Sequence, residues 1–543
     1  MIPLRQILRG LRPMARPSLG RTWLSVVIGG IRIAASLGFV WVCKRLVDIA
    51  TGVSDAPIGL YIGVLIGIML LQMACSVCAS AWESYNTART GNDLRADVFR
   101  SALQSTWNGR EPFRSGDAVN RLEEDVRVIT DLLCSRFPDT LVTLIQLIAS
   151  SIFLLTLAPE LLWILLILMA VAVAGSRMYF RRLRELTARI RAQEGEVQQL
   201  MQENLQKRLV VLTLIGTGRV LDRMDRLQGD IVDTTVQRIN YNALARAFMH
   251  LGFMGGYAAA FLWGVFGIRS GAVTYGMMTA FLQLVGQVQR PIAELARQIP
   301  AFIHATTSVE RLMELQALEP EPDEAPVRLS GAPGVRISDL RFAYSGRDEA
   351  VLNGFSYEFK PGTMTVVMGP TGVGKSTLSR IILGLLRPES GRVEIYGPEG
   401  TFPAGPGVRG NFLYVPQGNS LLSGTIRENL LLARPDATED LLREALHTAV
   451  ADFVFDLPDG LDTPCGEEGT GLSEGQCQRI AIARALLREG GFLILDEATS
   501  ALDAATEEQL LDRIFTACRG AKTLLFISHR DAVTARADQI LRF

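Results

Sequence analysis

The run Gly369, Pro370, Thr371, Gly372, Val373, Gly374, Lys375, Ser376, Thr377 has residue types that suit one ligand chemistry. Closely spaced glycines let backbone N–H groups curl around phosphate oxygens, and a helix N-terminus behind them favours anions. In the pattern G-x-x-x-x-G-K-S the lysine brings a point charge to the outer phosphates and the serine a hydroxyl for Mg²⁺. Further along, the apolar run Phe492 to Leu495 ends in Asp496 and Glu497. A buried strand that delivers two carboxylates is costly unless they have partners. Asp496 is expected to act through Mg²⁺ and its water, and Glu497 to polarise an attacking water. The implied chemistry is hydrolysis of a nucleoside triphosphate.

Those residues need a scaffold. Thr363 to Met368 reads as a buried strand leading into the glycine run, and the chain is helical from Ser376 onwards. Strand, loop and helix in that order are the context the motif requires. An α/β ATPase domain is therefore expected over 335–543. Before it, 316–334 is acidic and rich in Pro and Gly, a linker.

Residues 1–315 have another texture. The chain has 543 residues, 48% of them hydrophobic, with a mean hydropathy of +0.22 and a net charge of -1. That length implies more than one domain, and the charge gives no bulk attraction to nucleic acid. A bilayer-spanning helix needs about twenty mostly apolar residues. Six segments qualify, at about 22–47, 58–82, 137–158, 160–180, 247–268 and 274–296. Two long connections, about 83–136 and 181–246, are rich in Arg and Glu, whereas Thr51 to Pro57 carries no basic residue. The positive-inside rule puts the N-terminus and both long connections in the cytoplasm, and an even number of spans puts the C-terminal half there too. The N-terminal arginines precede an apolar run too long for a secretory signal. Met1 to Met14 reads as a short amphipathic helix along the membrane surface. The seven cysteines are scattered, and Cys75 and Cys78 lie inside an apolar segment, which reads as packing.

Arg32 stands near the middle of the first span, where a charge needs a partner or a wet cavity. It lines a translocation cavity, or it has a structural partner or snorkels. Gln283, Gln287, Arg290 and Glu294 share one helix face. They line the inner part of a pathway, or their helix has left the bilayer by then. Gly59, Gly63 and Gly67 read as helix packing.

In these motifs, the chain resembles an ATP-binding cassette (ABC) exporter of the half-transporter kind, near the bacterial lipid flippases and multidrug exporters. The resemblance implies a multi-domain membrane protein, with an all-α six-helix transmembrane domain followed by an α/β P-loop ATPase domain. It implies that Tyr344 stacks on adenine and that Gln417 senses Mg²⁺ and the water. Leu472 to Gln476 matches the family signature, whose Ser473 and Gly475, with Gln476, contact ATP bound on the partner subunit. Ser500 to Asp503 matches a dimer-contact loop, and His529 a switch histidine near the γ-phosphate. Catalysis would then rest on Glu497, His529 and Gln417. Ser376, Gln417 and Asp496 would serve the metal, with ATP and Mg²⁺ as cofactors. The implied activity is ATP-driven export or flipping of a hydrophobic or amphipathic lipid, drug or peptide by a dimer with two shared ATP sites. The implied partners are a second subunit (a homodimer, or alternatively a heterodimer), membrane lipids and the substrate, without nucleic acid. An ATP-gated channel or regulatory membrane subunit is the reading from another class. The implied location is the cytoplasmic (inner) membrane, with both termini and the ATPase domain cytoplasmic. Coupling segments are expected at Phe113 to Val126 and near Gly216 to Arg226.

Four features depart from the family pattern. Glu474 replaces the first glycine of Leu-Ser-Gly-Gly-Gln. The segment after Gln417 lacks an aromatic residue, and Pro398 to Gly410 is unusually rich in Gly and Pro. The chain also ends at Phe543, earlier than relatives are expected to.

Overall fold

The structure is a computed structural model. It describes residues 4–107, 119–214, 216–344, 349–465 and 471–543. The chain forms two compact units, one of Met1–Arg100 with Asp117–Ala317 and one of Ser101–Gly116 with Leu318–Phe543.

The first unit is built of helices joined by short turns, with no strand among its described residues. Its helices are α1 (Leu4–Ala15), α2 (Leu19–Ala50), α3 (Ile58–Leu103), α4 (Arg121–Leu157), α5 (Pro159–Met178), α6 (Phe180–Gln206), α7 (Arg208–Thr213), α8 (Thr217–Arg269) and α9 (Tyr275–Gln316). The six apolar segments lie on α2, α3, α4, α5, α8 and α9, and the Arg- and Glu-rich connections prolong these helices. A core of Val40, Leu154, Leu161, Leu165, Phe281, Leu284 and Val288 binds α2, α4, α5 and α9 together. Many other apolar side chains face outward, as Leu60, Met73, Val77, Trp163, Val171 and Phe266 do. Such an exterior suits hydrocarbon rather than water.

Among the described residues, five helices are long and apolar enough to cross a membrane: α2, α3, α4, α5 and α8. The segment expected at 274–296 lies on α9 and is not among them. It carries Gln283, Gln287, Gln289 and Arg290, and buries Ala280, Phe281, Leu284, Val285 and Val288 against its neighbours. A helix shielded by other helices needs less apolar surface. Pro291, inside α9, cannot donate to the carbonyl four residues earlier. Ser150 Oγ donates to that carbonyl instead, Gln287 O, at 3.0 Å.

In the second unit, a five-stranded parallel sheet runs in the order β11-β3-β10-β9-β6. An antiparallel sheet, β2-β1-β4-β5, accompanies it. The strands are β1 (Gly334–Phe342), β2 (Leu352–Phe359), β3 (Met364–Met368), β4 (Ser390–Gly397), β5 (Gly400–Pro403), β6 (Phe412–Val415), the short pair β7 (Gly424–Thr425) and β8 (Pro464–Cys465), β9 (Phe492–Asp496), β10 (Thr523–Ile527) and β11 (Gln539–Arg542). Helices α10 (Lys375–Ile382), α11 (Ile426–Leu431), α12 (Glu439–Thr448), α13 (Glu474–Leu487) and α14 (Ala504–Cys518) accompany them. Strands β9 and β10 are buried along their whole length, as continuous apolar runs in a covered parallel sheet should be.

The linker is not free. Glu321 pairs with Arg409 at 2.6 Å, and the Val327 and Leu329 amides donate to Gly407 O and Asn411 Oδ1. A Cβ on Gly407 would stand 2.8 Å from Ala325 O, so the glycines of the 398–410 segment admit this strap. Residues 101–107 lie with this unit rather than with the preceding helices. The Thr106 amide donates to Glu319 O, and Trp107 lies under the Arg380 guanidinium. The first expected coupling segment falls partly outside the described residues, at 113–118. The second forms the first turns of α8, behind the exposed helix α7.

Candidate functional site

Four neighbouring strands of the parallel sheet end on the same side, and each delivers one part of the site. The glycine loop follows β3, His529 follows β10, Asp496 and Glu497 close β9, and Gln417 follows β6. The C-terminal edge of a parallel sheet is where such folds bind ligands.

Within the loop Gly369, Gly372 and Gly374 all have positive φ, at 154°, 87° and 112°. Nothing lies within 4 Å of a Cβ built on Gly372, so its backbone is open to a ligand. The Lys375 ammonium donates to Gly369 O at 2.6 Å and Pro370 O at 3.1 Å, and lies 2.9 Å from His529 Nε2. Ser376 Oγ donates to Asp496 Oδ1 at 3.1 Å. Burial pushes the Asp496 carboxyl above its usual range, with Glu497 adding to it, against the Ser376 hydroxyl, Arg380 and Lys375. A hydroxyl and a carboxylate beside an anion-binding loop are the hard oxygen donors Mg²⁺ takes, so this set fits the metal.

Glu497 has φ 51°, a left-handed conformation a side chain seldom adopts. Its amide donates to Ile527 O at 3.0 Å, which holds the turn. Gln417 Nε2 donates to Glu497 Oε2 at 2.7 Å, and His529 Nε2 lies 3.7 Å from Glu497 Oε1. The expected trio of Glu497, His529 and Gln417 is thus assembled around one carboxylate, with Lys375 against His529. Tyr344 stands edge-on to Phe342 at 4.9 Å, and its hydroxyl meets Thr377 Oγ1 at 3.0 Å.

The signature is placed differently. Ser473 caps α13: its hydroxyl accepts from the Gln476 amide at 3.2 Å, and Gln476 Oε1 accepts from the Ser473 amide at 2.8 Å. This capping box occupies the Gln476 side chain with its own helix. Glu474 is exposed in the first turn, where a negative charge favours the helix dipole. A Cβ on Gly475 would lie 2.9 Å from Ala501 O, so the signature packs against the 500–503 loop. None of these residues hydrogen-bonds to the glycine loop, among the described residues.

Three residues escaped the sequence reading. Arg530, beside His529, donates to Ser500 O, Leu502 O and Glu507 Oε2 at 2.8 to 2.9 Å. Glu507 is 3% exposed. Gln478 donates to Ser500 Oγ at 3.0 Å and accepts from the Ala501 amide. Arg530 ties the 500–503 loop to the segment bearing His529, and Gln478 ties it to α13. An arginine adjoining the histidine was the available signal for one of them.

Residues 22–292 match the ABC transporter transmembrane region family, and residues 352–500 match the ABC transporter family. The ATP-dependent lipid A-core flippase of Pseudomonas fluorescens (strain Pf0-1) is 30% identical over 472 residues, covering 83% of this chain and 75% of its own length. The ABC multidrug transporter mdr2 of Aspergillus fumigatus is 29% identical over 487 residues, covering 89% of this chain, which spans 61% of that relative's length. A solved bacterial Atm1-family ABC exporter with ATP bound superposes with a TM-score of 0.77 at 26% identity, covering 97% of this chain and 93% of that one.

Proposed function

We propose a mechanism from the premise that this chain belongs to the ABC transporter family, as an exporter-type half-transporter. It is a multi-pass membrane protein and an ATPase coupled to transport. Our reading is that two copies form the working unit, with six spans each and the ATPase units in the cytoplasm of an inner-membrane-bounded cell. The cargo is a hydrophobic or amphipathic molecule, a class to which the lipid and multidrug substrates named for the relatives belong.

The observation that carries this reading is the convergence of Lys375, Ser376, Asp496, Glu497, Gln417 and His529 on one sheet edge, with Ser473 capping α13 and Gly475 packed against the 500–503 loop instead. A half-site and a separate signature fit two chains placed so that each completes the other. The backbone amides of the loop cradle the phosphates and Lys375 neutralises them. Mg²⁺, when held by Ser376 and Asp496 with Gln417 nearby, supplies charge neutralisation at the phosphates. Glu497 orients the attacking water and takes its proton, while Gln417 and His529 hold that carboxylate in place. Tyr344 offers its ring to the base. Closing the dimer around ATP favours one orientation of the membrane helices only through the extra affinity of the closed state.

The test is Glu497→Gln in reconstituted membranes. Hydrolysis should fall by about 10² or more while ATP binding persists. A variant that still turns over ATP at the wild-type rate would remove Glu497 from the mechanism.

A further inference from the structure

We propose that the membrane unit contains a binding site for the anionic head of an amphiphile, with the Arg32 guanidinium as its charged anchor. The proposal rests on the transport reading above and names the chemical class of the cargo. A cavity of about 310 Å³ is lined by Arg32, Ser36, Gln72, Ser76 and Gln146, which come from α2, α3 and α4. Gln287 of α9 reaches one of these lining residues, its Nε2 donating to Ser36 Oγ at 3.0 Å. Arg32, Gln72, Gln146 and Gln287 each stand near the middle of their own apolar segment. Four helices therefore bring polar groups to one depth, the depth at which hydrocarbon would otherwise surround them. Polar groups gathered there face a water-filled pathway or a ligand rather than lipid.

The charge decides between ligand classes. Arg32 makes no hydrogen bond or ion pair among the described residues, so its donors remain free. The carboxylate on which it acts at longer range is Asp139, in the first turn after Arg136 and shared with that arginine. The lining itself holds one cation and no carboxylate. Apart from Ile33, its neutral members are amides and hydroxyls, which donate to the remaining oxygens of a phosphate, sulfate or carboxylate beside a guanidinium. Gln287 Oε1 is buried without a hydrogen-bond partner. That leaves an acceptor for a bound water or an acid proton.

The size and surroundings point to an amphiphile rather than a free anion. The cavity is at the small end of ligand sites and admits a head group rather than a whole lipid. Beside Gln72 and Ser76 on α3 lie the exposed Met69, Leu70, Met73 and Val77. A hydrocarbon chain can lie along that face with its head in the cavity.

The experiment compares dodecyl phosphate, dodecylphosphocholine, dodecyltrimethylammonium and inorganic phosphate. Each is titrated against the full-length protein in phosphatidylcholine nanodiscs, and binding is measured above partitioning into empty discs. Dodecyl phosphate should bind about tenfold more tightly than the zwitterionic probe, and inorganic phosphate more weakly still. Arg32→Ala should weaken dodecyl phosphate about tenfold, Arg32→Lys should retain part of the affinity, and Gln146→Ala should give a smaller loss. A thermal unfolding midpoint close to that of the wild type in each variant shows that it is folded. Equal affinity in wild type and Arg32→Ala, no dodecyl phosphate binding by wild type, or preference for the cationic probe would each overturn the proposal. Tighter binding of inorganic phosphate would assign the site to a free anion and overturn it too. Because binding is read without hydrolysis, a failed ATPase reading shows itself separately, as absent wild-type turnover.

Discussion

Glu497 combines two costs that one residue rarely bears. Its backbone is left-handed, and its carboxylate stands beside buried Asp496. A non-glycine residue in that conformation costs on the order of 1 kcal/mol, and such strain persists where the surroundings over-determine it. Here the Ile527 carbonyl and Gln417 amide fix both ends of the residue. Gln417→Ala should therefore lower turnover without abolishing ATP binding, by freeing the Glu497 side chain. The comparison of kcat with nucleotide affinity checks this, and an equal loss of both would contradict it. At Gly475 the constraint is steric. Gly475→Ala should push the 500–503 loop by the room a methyl needs at 2.9 Å from Ala501 O, reducing stability by about 1–3 kcal/mol. Thermal unfolding of the variant measures that, and an unchanged midpoint would show that the loop yields freely. The nucleotide site was legible at this scale because Lys375, Ser376, Asp496 and Glu497 carry chemistry that fixes their spacing. The backbone strain at Glu497 was not, since nothing in Asp-Glu-Ala declares a positive φ.

Between elements the information is held by pairs distant in sequence. Strands β3, β9 and β10 could be read from their apolar runs, because a covered parallel strand needs them. The sixth apolar segment was harder, since α9 takes its polar groups into contact with other helices rather than lipid. The segment 316–334 read as a linker, and its pairing was not legible because its partners Arg409, Gly407 and Asn411 lie far along the chain. The clamp from Arg530 to Glu507 is of the same kind. Arg530→Ala would leave a buried carboxylate unpaired and should cost about 3 kcal/mol, somewhat less than a fully buried pair because Arg530 is 35% exposed. It should also slow turnover, as the loop at Ser500 and the His529 segment lose their tie. Adding Glu507→Gln should recover part of the stability. Denaturation of the two variants side by side tests this, and no recovery would mean that the arginine acts through its backbone contacts alone.

The pH dependence of the second unit also belongs to paired elements. Burial raises the Asp452 carboxyl, but Arg513 and His447 outweigh it and hold the group below its usual value. A lowered folded-state pKa contributes stability above the usual carboxylate value and loses it as pH falls through the lowered one. Asp452→Asn should then cost about 1 kcal/mol or less at pH 7, because the side chain is 47% exposed. The difference from wild type should shrink towards zero as acid protonates Asp452. Melting midpoints of both proteins across the acid range read this directly, and a gap that persists in strong acid would reject the pairing as its source.

For the whole molecule, the surfaces matter more than either unit's interior. The glycine loop assembles with Asp496, Glu497 and His529, whereas Ser473 and Gly475 are turned to α13 and the 500–503 loop. If each ATP site takes its loop from one chain and its signature from another, two different defects should complement. Lys375→Ala chains keep an intact signature, and Ser473→Arg chains keep an intact loop. Alone, each should have almost no turnover, because every site in its dimers is damaged. When the two are dissociated, mixed and reconstituted together, random pairing makes half of the dimers mixed, and each mixed dimer has one undamaged site. Turnover should then reappear at up to about a quarter of the wild-type rate if the sites act independently. It should rise and fall with the mixing ratio, peaking at equal amounts. A site completed within one chain cannot be rescued in this way, so a mixture no more active than its parts would return the signature to its own subunit and remove the need for a dimer.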